Sequence, residues 1–84
     1  MNSTNIEKNN FAETEDAVRL IWEEALQRTI TDTQQSFLDC GGDSLSAMLC
    51  ISRLRTRFGV ELTIEDFLMD DSTIENHTAS LLNH

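Results

Sequence analysis

The chain has 84 residues and a formal net charge of −9, from 15 acidic and 6 basic side chains. That length makes one small domain with a modest core, too little to enclose an active site built from several catalytic layers. The acidic surplus argues against nucleic acid and against anionic membranes, which both recruit an excess of Lys and Arg, and fits partner proteins met through complementary charge.

The first twelve residues, "MNSTNIEKNNFA", are polar and Asn-rich and are expected to form a disordered arm, leaving 13–84 as a single domain. In "TEDAVRLIWEEAL" Thr14 is the expected N-cap, with Glu15 and Asp16 at the positive end of the helix dipole. Val18, Ile21, Trp22, Ala25 and Leu26 then recur at three- and four-residue steps, which predicts one apolar helix face. Gln27 to Gly42 shows no sustained helical period, and a connection this long is often functional. Ile30, Phe37 and Leu38 are expected to pin it to the core, and Asp32 to cap a short turn.

A second helix is predicted from Ser44 to Phe58, with Asp43 as N-cap and Gly59 as its terminating glycine. Its apolar stripe is wider than one buried face needs, so some of Leu45, Met48 and Leu49 face outward. Val60–Leu62 is expected to be extended, followed by a short helix from Ile64 to Phe67 capped by Thr63. In "STIENHTASLLNH" Ser72 and Glu75 have capping-box spacing, and Ile74, Thr78, Leu81 and Leu82 are the expected inward face of a last helix. The predicted fold is all-α: a small four-helix bundle of three longer helices and one short one. There is no proline and there are three glycines, a helix-permissive composition. Cys40 and Cys50 do not make a zinc motif, and no metal site is expected. With no signal peptide or long apolar run in view, the expected compartment is the reducing cytoplasm, with both thiols free and partly buried.

The segment "FLDCGGDSLSAM" holds the residue that invites chemistry. Ser44 opens a helix, where unpaired N–H groups and the helix dipole stabilise an anion without any basic side chain. Gly41 and Gly42 remove bulk just upstream, which would let a bulky partner approach Ser44 closely. A serine nucleophile needs an adjacent base, and the only histidines, His77 and His84, lie near the far end of the chain. Asp43 is a poor base for a hydroxyl. Activation is therefore expected from another protein.

The run "FLDCGGDSLSAMLCISRLRTRFGVEL" resembles the signature of carrier proteins, in particular the peptidyl carrier (thiolation) domains of nonribosomal peptide synthetases. Phe37–Leu38, Gly41 to Leu45, Leu54, Phe58–Gly59 and Val60–Leu62 carry the likeness, which spans about residues 18–82. The resemblance implies an acyl-carrier-protein type of bundle. It implies that Ser44 receives a covalent 4′-phosphopantetheine arm from coenzyme A, with Asp43 and Gly42 beside it. The modifying partner would be a phosphopantetheinyl transferase. The arm's thiol would hold an aminoacyl or acyl group as a thioester, presented to adenylation, condensation, thioesterase or tailoring enzymes. The chain itself would be a monomeric carrier and not an enzyme. The expected partner surface is Leu45, Met48 and Leu49, edged by Ser46 and Ser52. Cys40 and His77 depart from the family pattern, which favours a larger aliphatic residue and a leucine there; Cys40 is read as buried and His77 as partly exposed. Arg53, Arg55 and Arg57, with the double glycine and "FGVEL", favour the peptide-synthetase branch over carriers of fatty-acid synthesis, whose second helix is more acidic; the alternative reading of the arginines is a solvated face. The absence of linker-like runs at either end favours a free-standing carrier.

Three other readings compete. One is an acyl carrier of a polyketide or fatty-acid pathway. Another is a helical interaction module with no prosthetic group. The third is a serine esterase, since "GDSL" also names an esterase family; the chain lacks its Asp-x-x-His pair and its long α/β domain.

Overall fold

The computed structural model describes residues 3–83, with side chains from residue 10 onward. Four helices follow in chain order: α1 (Ser3–Leu26), α2 (Ser44–Phe58), α3 (Ile64–Leu68) and α4 (Ile74–Leu82). α1 packs on α2 and α4, and α3 packs on α2. No strand is present among the described residues; an isolated antiparallel bridge joins Ser36 to Thr73. The all-α bundle with one short helix is the expected architecture.

The core forms where the apolar stripes of the helices meet. Val18 and Trp22 of α1, Ala47, Cys50 and Leu54 of α2, Phe67 of α3 and Ile74 of α4 are fully buried. Trp22 and Phe37 meet edge to face at 4.9 Å between centroids, and Phe37 and Phe67 at 5.0 Å. Quadrupole attraction favours this geometry beyond the area buried.

α1 begins at Ser3, not after Thr14, so the helix runs through residues 3–12, in place of the expected disordered arm. Nothing between Ser3 and Thr14 stops a helix: there is no Gly or Pro, and Asn lowers helix propensity only modestly. Thr14 is thus an interior residue. Met1 and Asn2 lie outside the described residues.

The 27–43 connection is long, as expected, but it is tied down. Gln27 turns left-handed (φ 57°) at the end of α1, and Arg28 N–H returns to the Glu23 carbonyl. Glu23 also accepts from Ile30 N–H at 2.8 Å through its carboxylate. Asp32 caps a turn by accepting from Gln34 N–H. Two bonds reach the start of α4: Phe37 N–H to the Ser72 carbonyl (2.8 Å) and Glu75 N–H to the Thr33 carbonyl (3.1 Å). Ile30 and Phe37 are the buried anchors; Leu38, expected beside them, is exposed because its neighbour takes the core position.

α4 departs from expectation at three residues. Its N-cap is Thr73, whose hydroxyl accepts from Asn76 N–H; Ser72 is one residue too early and buried. Leu82 is exposed at the end of the helix while Ile74, Thr78 and Leu81 face inward. His77 is buried, not partly exposed, and packs edge-on to Phe67 (4.5 Å) and Trp22 (5.5 Å). Its Nε2 lies 2.9 Å from Ser72 Oγ and 3.2 Å from the Asp66 carbonyl, so one ring joins α3 to α4.

That environment sets a pH dependence. A carbonyl accepts only, so the Nε2 proton faces Asp66, and Nδ1 is the bare nitrogen, buried without a partner. A second proton would bury both a charge and an unpaired donor. Burial therefore holds the His77 pKa below its ordinary value, outweighing Asp66 and Asp71, which pull the other way. Below the free histidine value of about 6.5 the unfolded chain binds more protons than the folded one. The contribution is present in full above that pH and is lost as pH falls through the folded pKa. The melting temperature should drop on acidification from about pH 7.5 to 5.5, and His77→Leu should flatten the profile. An equally steep profile in the variant would assign the drop to other groups.

Candidate functional site

α2 starts where it does because of a closed capping box. Asp43 is extended (φ −145°), and its carboxylate accepts from Ser46 N–H at 2.9 Å. Asp43 N–H in turn donates to Ser46 Oγ at 2.9 Å. Ser46 is therefore buried in the cap and is not at the rim of a partner surface, whereas Ser52 is exposed. The helix ends as predicted on Gly59, left-handed at φ 71°, with its N–H on the Arg55 carbonyl.

A tight turn delivers the chain to that cap. Cys40, Gly41 and Gly42 N–H groups bond back to the carbonyls of Ser36, Leu38 and Phe37. Gly41 sits at φ 95°, a conformation that side chains other than hydrogen disfavour. Arg28 reaches across from the end of α1 and donates to the Cys40 carbonyl at 2.9 Å. Gly42 has a different reason to be glycine. A Cβ there would overlap the Phe37 ring, so the bare backbone lies flat on that ring. The space that the sequence pattern reserves for an approaching partner is filled, at Gly42, by Phe37 of the same turn.

Ser44, the first residue of α2, is exposed. It lies one residue beyond the cap, where helix geometry leaves N–H groups without intrahelical acceptors. Asp43 is held below the usual carboxylate range by the N–H and hydroxyl of Ser46, which makes it a weaker base still. His77 is sealed among aromatic rings, its Nε2 committed to Ser72 and Asp66. Among the described side chains, then, nothing stands ready to deprotonate Ser44. The predicted Leu45, Met48 and Leu49 are all exposed, at 71%, 55% and 49%, on the helix that begins with the serine.

The two thiols are inert by position. Cys40 and Cys50 are free and buried, and burial pushes both thiol pKa values up, that of Cys50 to about 12. Cys40 Sγ is 3.6 Å from Gln35 Oε1. Among the described residues there is no cluster of three or more His, Cys, Asp or Glu able to hold a metal ion, and no helix is long and apolar enough to cross a membrane.

These residues fit a group linked through a phosphoester. The hydroxyl is open to solvent, the helix start tolerates an anion, and among the described side chains none bonds to the oxygen. The signal missed in the sequence is Arg28, twelve residues from the turn it braces.

Comparison with known proteins agrees. Residues 16–81 match the family described as "Phosphopantetheine attachment site". Nonribosomal peptide synthetase 8 of Aspergillus fumigatus is 46% identical over 56 residues, 64% of this chain. A linear gramicidin synthase of Brevibacillus parabrevis is 42% identical over 72 residues, 82% of this chain. Polyketide synthase PksN of Bacillus subtilis is 39% identical over 64 residues, 76% of this chain. In each case the match spans 1% of the larger protein. With that match over most of its length, this chain belongs to the phosphopantetheine attachment-site family, whose covalent cofactor is 4′-phosphopantetheine.

Proposed function

We propose that the chain is a peptidyl carrier of nonribosomal peptide synthesis and that Ser44 is its attachment residue. The observation that carries this is the exposed Ser44 hydroxyl at the start of α2, with no base poised on it among the described side chains. A residue so placed is a substrate for chemistry done by another protein. A phosphopantetheinyl transferase would remove the Ser44 proton. The Ser44 oxygen would bond to the phosphorus that bears pantetheine, and adenosine 3′,5′-bisphosphate would leave. When attached, the arm supplies a terminal thiol that holds an aminoacyl or acyl group as a thioester. The chain's own part is to hold the tether point rigid through the Asp43–Ser46 cap and the Phe37–Gly42 contact. The exposed Leu45, Met48 and Leu49 would meet the adenylation, condensation, thioesterase or tailoring partners.

The identity with two peptide-synthetase relatives favours peptide over other acyl cargo; the PksN likeness supports a polyketide carrier as the second reading. The start of the family match at residue 16 supports taking 13–84 as the carrier unit.

Incubation with coenzyme A and a broad-specificity transferase should add one phosphopantetheine by intact mass, and Ser44→Ala should gain none. A wild-type chain that stays bare, or a Ser44→Ala variant that still gains the group, overturns the reading.

A further inference from the structure

α3 is lightly anchored. It is five residues long, its buried residue is Phe67, and it packs on α2. A tie to α4 runs through His77, whose Nε2 reaches the Asp66 carbonyl and whose ring stands edge-on to Phe67. Asp66 also closes the start of α3, its carboxylate accepting from Thr63 N–H at 2.8 Å. One imidazole thus holds the residue that caps the helix.

Two seats are open to that ring. The first is the one it occupies, against Trp22 and Phe67. It suits only the neutral ring. Nδ1 is buried there without a partner, Phe67 has no polar atom, and Trp22 supplies a donor, itself unpaired, and no acceptor. The second is a hollow of ≈ 180 Å³ at the α3–α4 junction, lined by Asp66, Met69, Asp71, Asn76 and Ser80 as well as by His77 itself. Those five neighbours are exposed, so this seat is wet and holds two carboxylates.

We propose that His77 is a proton-operated latch on α3: neutral, it lies in the aromatic seat and holds Asp66; protonated, it swings into the acidic hollow and releases the helix. In the hollow both N–H groups of the imidazolium find acceptors in carboxylate or water. Asp66 of α3 and Asp71 of the turn before α4 are the charged groups that act on the ring, while α1 meets it with Trp22. Both carboxylates favour the charged form and burial in the first seat opposes it, so proton and seat change together. Because His77 already lines the hollow, the move is a side-chain rotation and leaves the packing of α1 on α2 and α4 in place. Falling pH fills the second seat, and rising pH empties it. The latch asks nothing of Ser44 and stands whether or not that residue carries an arm.

The test is a nuclear magnetic resonance titration of the whole chain from about pH 8 to 5. At the upper end the His77 ring should show cross-relaxation to the Trp22 and Phe67 rings. As the ring charges, those contacts should be lost and contacts to the Met69 methyl should appear. Backbone shifts of Glu65, Asp66 and Leu68 should move towards coil values with the same midpoint, while those of Val18 and Leu54 hold. His77→Leu should abolish the α3 response. Asp71→Asn, on an exposed residue, should move the midpoint to lower pH. A ring that stays neutral throughout, or that charges with its Trp22 and Phe67 contacts intact, overturns the latch. So does loss of α1 and α2 signals in step with α3, an α3 response that survives His77→Leu, or a midpoint that Asp71→Asn leaves in place.

Discussion

Phe37→Ala should remove about 3–5 kcal/mol of stability, the range for truncating a large buried aromatic. Phe37 is fully buried and stands edge-on to both Trp22 and Phe67, so its loss removes one partner from each of those rings and opens a cavity at the centre of the bundle. Domains of this size hold roughly 5–15 kcal/mol in total, so about a fifth or more of the stability depends on one side chain. At about 4–8 °C per kcal/mol for a domain this small, the melting temperature should fall by roughly 12 °C or more. Urea unfolding followed by far-ultraviolet circular dichroism measures it. A loss below about 1 kcal/mol would mean that the neighbouring rings close over the gap.

Gly42→Ala should be the next most damaging change, by about 1–3 kcal/mol, as overpacking at a rigid contact is. The added methyl would overlap the Phe37 ring, and that ring is wedged between Trp22 and Phe67 and cannot retreat. The backbone must move instead, and the backbone one residue on is the Asp43 cap of the serine's helix. The cause is open to a direct check by a double-mutant cycle. In a Phe37→Leu background, where the planar ring is gone, the alanine should cost markedly less, giving a coupling of about 0.5–3 kcal/mol between the two sites. Additive effects would place the damage elsewhere. Since the strain lies next to Ser44, the rate of pantetheinylation by a transferase should fall along with stability.

These two predictions show where reading the sequence reaches its limit. The bounds of α2 are legible because both ends are local: Asp43 and Ser46 cap each other three residues apart, and Gly59 supplies the left-handed turn. Ser44 is legible for the same reason, being defined by its place on that helix. Gly42 stands out in the sequence but suggests the wrong neighbour, since the ring that needs its bareness belongs to the same turn and nothing in the one-letter string orients that ring. On α4, Ser72 with Glu75 and Thr73 with Asn76 offer the same three-residue spacing. Tertiary packing decides between them by drawing Ser72 inside to His77, and no local rule sees that. His77 itself is ordinary in composition and is buried only because α3 and α1 close over it.

The two main-chain bonds that tie the 27–43 connection to Ser72 and Glu75 carry a consequence for timing. The turn that presents the serine leans on residues translated some thirty positions after it. While a ribosome is still short of α4, Phe37 lacks its Ser72 acceptor, and the platform under Gly42 is unfinished. Decoration of the growing polypeptide should therefore wait until the last helix has cleared the exit tunnel, which restricts the transferase to completed domains.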